Sequence, residues 1–352
     1  ERIKLIMAYT TINKSTDYFN TKLYTGNGAA ARGITGVGFQ PDWVWVKARS
    51  VGYPHITWDS ARTNKASLCT NTTAAEVTTT ARTLTSFDSD GFTTPNVTGD
   101  IFNDSGTDFA SWNWKANGTG SANTDGSISS TVSANTTSGF SIVSYTGTGA
   151  NATVGHGLGS LCKWIIIKRL NGTNNWEIGN TAMGWGKHIY FTTTAELTNS
   201  NRFQDTAPTN SLFYIGTGEG VNASGGNYIA YCFAEKQGYS KFGSYTGNGS
   251  TDGTFVYTGF KPAFLMAKTI NAVDDWQMLD NKRNGFNPNN FQLVANSNNA
   301  EQTSGNRADF LSNGFKIRTS GGSWNPSGGA ILYMAFAEAP LVGSNNVPAT
   351  AR

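Results

Sequence analysis

The sequence predicts an all-β protein of three tandem β-sandwich repeats of jelly-roll type, each of about 95 residues and so large enough to close one core. Three observations predict this. Charged residues make up only 14% of the 352, while Gly reaches 41 and Trp 10. With abundant Thr, Ser and Asn, that composition favours strands and turns over helices. Second, "YIAYCFAE" at 228–235 returns as "ILYMAFAE" at 331–338, each preceded by N-x-S-G-G. Third, a more diverged copy, "NDSGTDFASWNWKA" at 103–116, aligns with both without a gap. Such self-similarity marks a repeat architecture.

Along the chain, residues 1–17 read as an N-terminal arm, within which Met7 has the look of a natural start. Repeat one covers 18–116, repeat two 139–236 and repeat three 239–340, followed by a tail at 341–352. Each repeat opens on Y-T-G-x-G, at Tyr24, Tyr145 and Tyr245, and carries the Asn of N-x-S-G 77 to 80 residues later. Gly and Asn suit turns at both landmarks. Between them lie "GFQPDWVWVK", "GLGSLCKWIIIK" and "GFKPAFLMAK". Pro interrupts pairing before a strand resumes, and the closing lysine (Lys47, Lys168 or Lys268) is expected where that strand leaves the core. A tryptophan follows each lysine: Trp58, Trp176 and Trp276. "FDSDGF" matches "FLSNGF", with "NSLFYIG" in that place in the middle copy.

The terminal motif alternates with period two. Ala110, Trp112 and Trp114 share one face, matched by Ile229, Tyr231, Phe233 and by Leu332, Met334, Phe336. A large apolar face at this period is a strand against a core. Residues 117–138 are rich in Gly, Ser, Thr and Asn and read as a linker, within which "SISSTVSA" has the makings of an edge strand.

Chemistry is sparse. His55, His156 and His188 stand apart, and His156 in "VGHGLG" reads as a surface turn residue. No H-x-x-x-H, C-x-x-C or G-x-S-x-G is present, nor an E-x-D or E-x-E pair of the kind two glycosidase carboxylates on one strand face would leave. "DSDG" and "TDGS" lack the rest of a calcium loop and read as turns. The three cysteines are too few and too scattered for a disulfide framework, and Cys232 reads as a small strand residue. The expectation is therefore no enzyme, no metal and no cofactor. A net charge of +3 with scattered Lys and Arg gives no nucleic-acid footprint, and "WIIIK" is too short to span a bilayer. Trp185 ("MGWGKH") and Trp324 ("GGSWNP") sit in Gly-rich stretches and are the candidate ligand or partner contacts.

With the repeats laid out, "SGFSIVSYTGTG", "ATVGHGLG", "YCFAEKQGYSKFGSYTGNG" and "YMAFAEAP" resemble strings of marine bacteriophage virion proteins, over nearly the whole chain. The resemblance implies a tail-fibre or capsid-associated structural protein on the virion exterior, built on lectin-like β-sandwich repeats. It would contact other virion subunits and itself, a homotrimer being the expected form. It carries over no catalytic or ligand-binding residue. The alternative is an adhesin for host-surface glycan. Three repeats of one kind, without a divergent tip, favour the structural role.

Overall fold

The structure, a computed structural model, describes residues 9–62, 65–192, 194–198 and 200–340. Residues 1–8 of the arm, with Met7, and the tail at 341–352 lie outside the described residues. The chain is nearly all β, 42% strand against 4% helix, in several antiparallel sheets of which none closes. That bears out the all-β reading.

One strand order recurs three times. In the first large sheet Phe19–Thr25 pairs with Asp108–Trp114, then come Trp43–Ala48, Ile56–Asp59 and Leu68–Cys69. In the third sheet the same places fall to Ser240–Thr246, Ala330–Pro340, Phe260–Thr269, Gln277–Asp280 and Leu293–Val294. The middle sheet repeats the order with Phe140–Thr146, Asn227–Ala234, Cys162–Arg169, Glu177–Asn180 and Lys187–Tyr190. The registers agree residue by residue: Trp43 lies opposite Trp114, Trp164 opposite Phe233, and Phe264 opposite Phe336. Pro262 falls inside its strand, at a register shift that absorbs its missing donor.

A small sheet backs each large one. Gly33–Thr35 pairs with the hairpin strand Gly91–Thr93, and Phe255–Tyr257 with Gly314–Ile317. In repeat two Ala152–Gly155 pairs with Leu212–Ile215, which places "NSLFYIG" where the sequence puts it.

The middle sheet has eight strands: Leu197–Thr198 adds one, and residues 117–138, which do not form a free linker, add two. Ser130–Asn135 pairs with Phe140–Tyr145, and Ser121–Asn123 pairs outside it. Composition misleads here: a polar strand needs only one buried face, and Ser130, Val132 and Ala134 supply it. Residues 9–17 are equally tied down. Ile12 is buried in the centre of the molecule, and the Tyr9 hydroxyl donates to the Gly259 carbonyl at 3.0 Å.

The expected alternation is present, but the large apolar face looks elsewhere than into its own sandwich. Trp112, Trp114, Tyr231, Phe233, Met334 and Phe336 all belong to one cluster shared by the three repeats. Trp43 stacks on Trp114 of its own repeat and on Tyr231 of repeat two, both at 4.4 Å. Phe336 meets Phe19 at 5.1 Å and Phe233 at 6.0 Å. The sandwich cores lie on the opposite faces: Phe109 in repeat one, Tyr228 and Cys232 in repeat two, Ile331 and Tyr333 in repeat three. The central strands are therefore buried on both faces, and the three repeats form one body around a common aromatic centre.

Candidate functional site

The two sequence landmarks of each repeat form one clamp. The Y-T-G tyrosine donates its hydroxyl to the carbonyl just before the N-x-S-G asparagine: Tyr24 to Phe102 at 2.8 Å, Tyr145 to Val221 and Tyr245 to Trp324 at 2.7 Å. The asparagine then accepts from the turn backbone, Asn103 from Asn27 N–H, Asn222 from Thr148 and Asn325 from Asn248. All three asparagines are fully buried. Gly26, Gly147 and Gly247 are required by proximity, since a Cβ would meet backbone oxygen at 1.9 to 2.4 Å.

The landmark lysines do not mark an exit from the core. Lys47, Lys168 and Lys268 are completely enclosed. Each ammonium is spent on main-chain carbonyls: Lys47 on Ala48 and Val51, Lys168 on Thr73 and Asn174, Lys268 on Thr269 and Ala272. Burial pushes all three pKa values down to about 8. A long apolar stem lets lysine cross the core to satisfy these carbonyls.

Between repeats the contacts run in one rotational sense and close on themselves. The N–H of Glu76 (repeat one) donates to the Leu170 carbonyl of repeat two, Glu196 to Ile270 of repeat three, and Glu301 to Arg49 of repeat one, at 2.7 to 2.9 Å. In return the Trp176 indole donates to the Cys69 carbonyl and Trp276 to Tyr190, at 2.8 and 2.7 Å. Repeat one fills that position with His55, not with Trp58, because Ile56 pairs with Val46 as Glu177 does with Ile167. Trp58 packs into the sandwich core of repeat one. Burial holds the His55 imidazole neutral, its pKa well below 6.5.

The ring also carries buried charge. Asp59 pairs with Arg62 and accepts from the Tyr231 hydroxyl of repeat two at 2.8 Å. Asp280 pairs with Arg283 and accepts from the Trp112 indole of repeat one at 3.0 Å. At the third junction the equivalents are Asn180, Met183 and Met334. With no donor on Met334, a buried carboxylate would be unpaired, and the uncharged amide takes its place.

Neither candidate tryptophan is available to a ligand. Trp185 is 6% exposed and packs on Phe203 with ring centroids 5.5 Å apart. Trp324 is 2% exposed and donates to Gln292 Oε1 at 2.7 Å. Both cap sandwich cores; Gly-rich flanks let the backbone fold over an indole rather than present it. His156 is likewise buried: its Nδ1 accepts from Leu158 N–H, so Nε2 donates to the Thr209 carbonyl at 3.1 Å. Asp90 of "DSDG" is a turn anchor, accepting from the Gly36 and Gly38 amides.

Repeat two buries a polar cluster of its own, Glu177 with Arg202 and His188. Burial pushes Glu177 up to about 7, opposed by Arg202 at 2.8 Å, while burial and Arg202 push His188 down to about 4. The position is Ile56 in repeat one and Gln277 in repeat three, so alignment of the repeats could have flagged it. No space adjoins the carboxylate: a Cβ on Gly220 would lie 2.0 Å from Oε1. Space does open at the junction of repeats one and two, where a groove of about 500 Å³ runs between Arg62 and Glu76 on one side and the face of the middle sheet on the other.

A family model described as "Domain of unknown function (DUF7483)" matches residues 14–340, all three repeats in one piece. The chain belongs to this family. No curated protein and no solved structure matches it. Among the described residues no helix is long and apolar enough to cross a membrane, and no group of three His, Cys, Asp or Glu side chains is placed to hold a metal ion.

Proposed function

We propose that this DUF7483 protein is a non-enzymatic structural component of a phage virion exterior, its three lectin-like sandwich repeats acting as one rigid block. The observation that carries the reading is the closed ring of junctions around the aromatic centre. Faces that separate subunits would use to trimerise are consumed within one chain, so the threefold body expected of a trimer is built covalently. A fused body cannot dissociate on dilution, which suits a particle surface. What remains for neighbours is the periphery, including the open edge strand Phe255–Tyr257, whose two aromatic residues are 44% and 58% exposed. An unpaired edge with exposed aromatics is an adhesive surface for another virion subunit.

The test is recovery of the protein from purified particles, its copy number there, and crosslinking to neighbours. Contacts of this apolar, backbone-mediated kind should persist in moderate salt. Absence from the particle, or turnover of a substrate by the purified chain, overturns the proposal.

A further inference from the structure

Each repeat has a side where the last strand of its large sheet lies beside the last strand of its small one, and the chain closes two of these three sides itself. In repeat two the 117–138 segment does so. Ser130–Asn135 adds to the large-sheet edge, and just before it the Ile128 N–H donates to the Thr153 carbonyl of the small-sheet edge at 3.1 Å. The Ser127 hydroxyl accepts from the Thr153 N–H at 2.9 Å, and Ile128 and Val132 enter the sandwich core. Repeat one lacks such a segment, and charged side chains span the gap. Lys22 Nζ lies 2.8 Å from where a Cβ on Gly36 would stand, and Arg32 Nη1 donates to the Thr25 carbonyl.

Repeat three has neither closure. Register puts Gly243 where repeat one has Lys22 and repeat two Val143. Only the top is fastened, by the Thr254 hydroxyl on the Thr246 carbonyl at 2.7 Å. Below it two edges are unpaired among the described residues. The Ile317 N–H donates to the Thr254 carbonyl and the Thr258 N–H to Asn313, so antiparallel alternation turns the main chain of Phe255 and Tyr257 outward. The Gly247 N–H donates to Gly329, which turns that of Ser244 outward likewise. Tyr333, only 3% exposed, brings its hydroxyl to 3.1 Å from where a Cβ on Gly243 would stand, and meets no hydrogen-bond partner among the described residues. A cavity of about 360 Å³ continues the opening between Ser240, Lys241 and Tyr257. The charges on this side are matched, Lys241 with Glu235 and Lys316 with Asp252, which favours an uncharged occupant.

We infer that the open side of repeat three takes up an extended, uncharged peptide strand of another protein by β-strand addition, as residues 127–135 close the same side of repeat two. The inference deepens the structural role and rests on it for the source of the strand, a neighbouring subunit. The probe is a labelled peptide with the sequence of residues 126–136, blocked at both ends and titrated against the full-length chain by fluorescence anisotropy. Saturable binding of one peptide per chain is expected. Ser244→Pro removes an outward N–H and leaves the ladder to Ala330–Pro340 in place, so it should weaken binding by about tenfold or more. Tyr257→Lys, which sets a charge on the exposed small-sheet edge, should do the same and decides the matter if the proline variant does not fold. No saturable binding, equal binding of the peptide carrying Val132→Lys, or binding unchanged in a folded variant overturns the inference. Self-association of the chain that Ser244→Pro abolishes also overturns it, since a second copy would then be the occupant. Recovery of the protein from particles tests the structural role separately, whatever the peptide does.

Discussion

Asn222 Oδ1 accepts the Thr148 N–H at 2.7 Å across 74 residues of chain. The same amide donates from Nδ2 to the Ala150 and Gly216 carbonyls. One buried side chain thereby holds the first turn of repeat two to its last. Asn222→Ala leaves the part-buried Thr148 N–H and the Ala150 and Gly216 carbonyls without this partner. The expected loss is roughly 2–4 kcal/mol in denaturant unfolding, several times that of an exposed turn substitution. Asn103→Ala and Asn325→Ala should behave alike. A loss below about 0.5 kcal/mol in all three would show that water replaces the amide without cost.

The landmarks were legible because a repeat leaves its periodicity in the sequence whatever it packs against. What lies opposite a strand leaves no such trace. Period two announces that Trp112 and Phe233 face something apolar, but the same pattern fits a sandwich interior or a neighbouring repeat. For that reason the shared centre was invisible, as was the enclosure of Lys47, Lys168 and Lys268, which in a sequence look like any strand-terminal cation. His55 hid for a different reason: the place that Trp176 and Trp276 hold in the other repeats falls here to an imidazole that accepts from the Trp45 indole at 3.0 Å, so aligning tryptophans pointed to Trp58 instead.

Closure of the ring predicts cooperativity. Heating or denaturant should give one transition by tryptophan fluorescence and circular dichroism alike, because no repeat can leave without exposing the aromatic centre of the others. Three separate transitions would mean that the junctions contribute little.

Tyr231→Phe tests a single junction. It removes the hydroxyl that donates to buried Asp59 while keeping the ring stacked on Trp43. The cost should be about 1.5–3 kcal/mol, as for a hydrogen bond to a charged group. A neutral outcome would place Asp59 wholly under the control of Arg62.

Truncation of Phe233 or Phe336 to Ala should cost about 3–5 kcal/mol. Both side chains are buried in the shared cluster, so each loss should appear in the single global transition and not as the melting of one repeat. A local transition confined to one repeat would contradict the common centre.

The enclosed lysines predict an unusual alkaline behaviour. Their folded pKa values are lowered to about 8 by burial, against 10.5 for the free side chain. At pH 7 both folded and unfolded chains hold the proton, and the folded state bears the full cost of three buried ammonium groups. Above pH 8 the folded chain releases protons that the unfolded chain still binds, so stability rises with pH. From pH 7.5 to 9 the gain should be about 1 kcal/mol per lysine. At about pH 10 the trend reverses, because burial raises the thiol of Cys232 and the phenols of Tyr24, Tyr145 and Tyr231, and the unfolded chain ionises these first. Urea titrations across this range measure the slope directly. Lys268→Met should flatten it by one lysine's share, and a wild-type stability that falls steadily from pH 7.5 would show that the carbonyl cages hold their ammonium charges without penalty.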